Sequence, residues 1–112
     1  MVGTYEVVTL CGSIRFKEDF LQVQKSLSLQ GYIVISVGWF GESGEGITEE
    51  QKLMLDDMHK RKIDMADTVF VINKGGYIGA STRSEIEYAE SHGKRLVFLE
   101  ACGRYHGETV NI

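Results

Sequence analysis

The chain has 112 residues, 43% of them hydrophobic and 25% charged, with a net charge of −4. That is the size and mixture of one ordinary globular domain. It excludes a membrane-spanning helix, because no apolar run approaches about 20 residues, and it weighs against a partner such as a nucleic-acid polymer, which calls for a basic surface.

Residues 5–11 are apolar and β-branched and predict a first strand that stops at Gly12. The residues before it lack the basic start and small-residue cleavage site of a secretory leader, so a cytoplasmic protein is expected. Cys11 and Cys102 have no metal-ligand spacing and read as reduced, packed thiols. Gly12, Ser13, Ile14 and Arg15 then form a strand-to-helix turn. Its glycine permits close approach of a ligand, its free amides suit an anion, and Arg15 offers a forked contact to phosphate oxygens. The plainer alternative is a turn in which Ser13 caps and Arg15 is solvated. Phe16, Phe20, Val23 and Leu27 follow at the spacing of a helix packed on a sheet, ended by Gly31.

Residues 32–37 predict the second strand. Trp39 and Phe40 come next, inside a glycine-rich loop ending at Gly46. Two adjacent aromatics there suit stacking on a base, or equally a subunit interface. Thr48 is a candidate N-cap for a second helix running to about residue 66, with Glu49 and Glu50 in its first turn. Met54, Met58 and Met65, with Leu55 and Ile63, are expected to form its apolar side. His59 borders that side, either as a packed ring or as a site residue. Asp56, Asp57, Lys60, Arg61 and Asp64 read as surface ion-pairing residues, and Asp67 reads as a turn residue.

Residues 68–72 predict a third, fully apolar strand. A glycine-containing loop leads to a third helix expected at 82–92. Thr82 and Glu85 have the spacing of a capping box, which is the local alternative to a functional Glu85. Residues 95–99 predict the fourth strand. The tail from residue 100 either adds an edge strand or reaches a partner.

Strands apolar throughout, alternating with helices, predict a single three-layer α/β domain over residues 1–112. Its doubly wound parallel sheet has four to five strands, in the flavodoxin/Rossmann-like manner, with helices on both faces. Ligands in such sheets bind at the carboxyl ends of the strands, which brings the loops after strands one, two and three together.

The turn of Cys11, Gly12, Ser13, Ile14 and Arg15 resembles the first loop of the nucleoside 2-deoxyribosyltransferase superfamily, nearest to its nucleoside 5′-monophosphate N-glycosidase branch. The segment from Met58 through Ala66 and Asp67 to Val71 resembles that superfamily's helix, Ala-Asp, strand element. Gly79 through Glu85 to Ala89, followed by Gly93, Lys94 and Arg95, resembles its nucleophile helix and next strand. The resemblance covers most of residues 5–100. It implies cleavage of an N-glycosidic bond with Glu85 as nucleophile, releasing a free base or passing the sugar to another base. It implies phosphate binding by Gly12, Ser13, Ile14 and Arg15, helped by Gly79 and Ser81. It also implies a homodimer, with no metal or organic cofactor.

The chain departs from the family pattern at Thr9, where a tyrosine often stands beside the nucleophile, and at His59, where an aspartate often assists the leaving base. Thr9, Trp39 and Phe40 are the expected base and sugar contacts, and Glu85 and His59 the expected catalytic pair. Two other functions fit the same pattern: a nucleotide-binding or sensing module without catalysis, and a flavodoxin-like electron carrier. The latter lacks the hydroxyl-rich first loop expected around a flavin phosphate.

Overall fold

A computed structural model describes residues 3–38, 46–105 and 107–109. Strand β1 is Val7–Gly12, β2 Ile33–Ile35, β3 Thr68–Ile72, β4 Arg95–Phe98 and β5 Glu108–Thr109. Helix α1 is Lys17–Leu29, α2 Glu49–Asp64 and α3 Ala80–Ser91. The strands form one sheet in the order β2-β1-β3-β4-β5, and every neighbouring pair is parallel. This is the expected doubly wound α/β domain with helices on both faces. No described helix is long and apolar enough to cross a membrane.

Alternation along the strands divides the core in two. Val8, Leu10, Phe70, Ile72 and Val97 face α1, where Phe20, Val23 and Leu27 close the layer. Cys11, Val69, Val71, Leu96 and Phe98 face the other way, onto Ile63 of α2 and Ile86 and Ala89 of α3. The expected α1 stripe therefore packs as read, except that Phe16 lies in a short 3₁₀ turn ahead of the helix and is only partly buried. The tail supplies β5, held to the edge by an ion pair between Arg95 and Glu108.

Helix α2 corrects one expectation. Met54, Met58 and Met65 are exposed, as is Leu53. The packed side is rotated part of a turn from the methionines: the expected Ile63 is buried, Leu55 is half-buried, and His59 is buried with them. The rotation is set where the helix ends. Asp67 N–H donates to the Val7 carbonyl, and Asp67 Oδ2 accepts from Val7 N–H, each at 2.9 Å. With the chain pinned to β1 at Asp67, Ala66, Ile63 and His59 turn inward, three and four residues apart. The methionine stripe was an equally regular alternative, which periodicity alone does not distinguish.

Helix α3 corrects another. It begins at Ala80, two residues before the expected start, with Gly79 as an extended N-cap and no side-chain cap. Arg83 N–H already closes a helical bond to the Gly79 carbonyl. Thr82 is thus inside the first turn and buried, so the Thr82–Glu85 capping box does not form. Glu85 is left free of backbone duties. By contrast, Thr48 does cap α2 as expected, in a reciprocal box with Gln51.

Candidate active site

The crevice lies where β1 and β3 part company. The chain leaves β1 toward β2 on one side, and leaves β3 toward β4 on the other, which is the switch point of an open parallel sheet. Gly12 ends β1 with φ 153°, and a Cβ there would stand 2.7 Å from the Ile72 carbonyl oxygen. Only glycine lets the first loop sit this close to β3.

A cavity of about 470 Å³ opens at this point, within the usual range for small-molecule sites. Its wall includes Gly12, Ser13 and Ile14 from the first loop, and Gly79 and Ser81 from the loop opening α3. Glu85 and His59 line the same cavity. The sequence-predicted carboxylate and phosphate loops are therefore neighbours in space. Glu85 also borders a second cleft of about 250 Å³, with Asp56, Lys60 and Ser84.

Two expected site residues stand elsewhere. Thr9 is fully buried, and its hydroxyl donates to the Lys62 carbonyl at 2.8 Å, so it ties β1 to α2 and does not line the cavity. The Arg15 guanidinium lies over the Tyr77 ring, 4.1 Å from its centroid, and donates to the Tyr77 hydroxyl at 3.3 Å. Tyr77 lines the cavity and Arg15 does not. Stacking on an aromatic face satisfies the cation and holds it at the rim. Ser13 takes the plainer role as well, its hydroxyl accepting from Arg15 N–H at 3.3 Å. Trp39 and Phe40 lie outside the described residues.

Three lining residues carry charge that the sequence did not single out for the site. Lys52 reaches from α2 to Asp56 at 2.9 Å and to Ser81 Oγ at 3.4 Å, bringing a cation to the opening of α3. Asp56 and Lys62 line the cavity too. The signal was available: 52, 55, 56, 59 and 62 repeat at three and four residues, so they share one face with His59.

Electrostatics at the floor of the cavity are set by burial. Glu85 is pushed up to about 7, first by desolvation and then by the like charge of Asp56; the Cys11 thiol, Lys52 and Lys60 oppose the shift. His59 is pushed down to about 4 by desolvation and by Lys62, against Asp56 and its bond to the Leu10 carbonyl. The Cys11 thiol is held well above its ordinary range by burial and by Glu85. At neutral pH the His59 ring is therefore neutral, and its 3.8 Å approach to Glu85 Oε1 is not an ion pair. Two titratable groups pushed apart in this way, in a cleft, mark a candidate catalytic site.

No protein-family model matches the chain, and no curated protein matches it.

Proposed function

We propose that this protein cleaves the N-glycosidic bond of a nucleoside or deoxynucleoside 5′-monophosphate. Glu85 attacks the anomeric carbon, the bond to the base nitrogen breaks, and a glycosyl ester forms on the carboxylate. Water hydrolyses the ester, or a second base accepts the sugar. One observation carries this reading: a largely buried carboxylate shares a nucleotide-sized cavity with two strand-to-helix loops at the switch point of the sheet. Backbone amides of the loops at Gly12, Ser13 and Ile14 and at Gly79 and Ser81 receive the phosphate. Lys52 supplies charge beside them, and Arg15 closes the rim. Neutral His59 stands beside the carboxylate, 3.8 Å from its Oε1. No cofactor takes part.

A second reading, binding without cleavage, is favoured by one feature. A ring held near 4 has no proton to give a departing base at neutral pH. One assay separates the two. Incubation with a panel of ribo- and deoxyribonucleoside monophosphates, followed by chromatography, yields free base with the wild type and none with Glu85→Gln. Binding of the same nucleotides with no base released by either protein establishes the second reading.

The exposed Leu53, Met54, Met58 and Met65 on the outer side of α2 support a homodimer in this reading. The free thiols of Cys11 and Cys102 suit a reducing cytoplasm.

A further inference from the structure

Cys11, His59 and Glu85 come from three elements, β1, α2 and α3. Their donor atoms all lie within 4.8 Å of one another. Cys11 Sγ is 3.2 Å from His59 Nε2, and that nitrogen is 3.8 Å from Glu85 Oε1. A tetrahedral zinc ion with bonds of about 2.0–2.3 Å to sulfur, nitrogen and oxygen separates its ligands by about 3.3–3.6 Å. The cluster is within a few tenths of an ångström of that for two of its pairs. His59 and Glu85 face the cavity, which leaves a coordination position for water or another exogenous ligand.

We infer that Cys11, His59 and Glu85 form a three-ligand site for a borderline-soft divalent cation of the zinc type. Thiolate with imidazole selects such a metal over magnesium or calcium, which take oxygen ligands. Binding releases the Cys11 proton. The positive neighbours are Lys62 beside His59 and Lys52 and Lys60 beside Glu85, and the negative one is Asp56. Coordination of one Glu85 oxygen draws charge from the carboxylate and fixes it on the metal, which weakens it as the nucleophile of the glycosidase reading. If that reading holds, zinc inhibits base release and a chelator restores it.

The test is titration of chelator-stripped protein with Co²⁺ in a Cys102→Ser background, which leaves Cys11 as the sole thiol. The expected result is a near-ultraviolet thiolate-to-cobalt absorption that saturates at one ion per chain. It is lost in Cys11→Ser and requires at least about tenfold more metal in His59→Gln. Circular dichroism checks that each variant is folded. If Cys11→Ser does not fold, Glu85→Gln serves, again with at least about tenfold weaker binding expected. No thiolate band in the Cys102→Ser protein, or an undiminished one in folded variants, overturns the site. The spectrum is read without nucleotide, so metal binding and base release succeed or fail separately.

Discussion

The two faces of the sheet bury apolar side chains to a similar extent, yet they do different things. The α1 face is built from aliphatic and phenylalanine side chains, with Phe20, Phe70, Leu10 and Ile72 almost wholly shielded from solvent. The α2–α3 face includes Cys11 and His59 in its buried layer and holds Glu85 at its edge. Burial on the first face goes into stability. On the second, part of it is used to shift ionisation. The carboxyl edge of one face thus becomes a site while the other remains a plain core.

The largest expected effect lies on the plain face. Phe20→Ala removes a ring packed between α1 and the sheet and should cost about 3–5 kcal/mol in denaturant unfolding. A loss under about 1 kcal/mol would mean that this face is not the mechanical core.

The second face should answer with the opposite sign. The folded state holds Glu85 near 7 against an ordinary 4.5, so its stabilisation is present below about pH 4.5 and is lost as pH rises through 7. His59, held near 4 against 6.5, disfavours folding when protonated, so stability rises from about pH 4 to 6.5. The two slopes oppose each other, and the metal-free wild type should show a shallow profile between them. Glu85→Gln should be more stable than wild type at pH 8, by up to about 3 kcal/mol. Its stability should now climb from pH 4 to 6.5. Unfolding of both proteins across this range, in chelator, checks the claim. Identical profiles would show that the fold does not hold Glu85 under strain.

A smaller effect separates packing from recognition within the second face. Thr9→Val removes the hydroxyl that satisfies the Lys62 carbonyl and should cost about 1 kcal/mol. It should leave the ratio of ribo- to deoxyribonucleotide affinity unchanged, because Thr9 does not line the cavity. A changed ratio would return Thr9 to the sugar site. The smallest effect on stability belongs to Lys52→Ala. Its exposed pair with Asp56 is worth under about 1 kcal/mol. Titration calorimetry should show it weakening monophosphates more than free nucleosides, whereas equal weakening would remove Lys52 from the phosphate.

Much of the fold was legible because the inner strands β1, β3 and β4 are mainly apolar and glycines follow the ends of α1 and α3. β3 at Thr68–Ile72 and the Thr48 cap of α2 needed only local information. Glu85 was also legible, although its local pattern pointed to a capping box. What failed was helix rotation. Met54, Met58 and Met65 have the same spacing as the residues that do pack, and the deciding contact, Asp67 with Val7, spans 60 residues. The Cys11–His59–Glu85 cluster was invisible for a related reason: its donors are far apart in sequence and meet only when β1, α2 and α3 pack. Arg15 looked free to hold phosphate because nothing local shows that Tyr77, 62 residues on, will take it.

The pH dependence of kcat/KM for base release, measured in chelator on wild type and Glu85→Gln, bears most directly on a working Glu85. A nucleophile must be ionised, so the wild-type rate should rise through about pH 7 and then level, while the glutamine variant releases no base at any pH. Base release that persists in Glu85→Gln would contradict it.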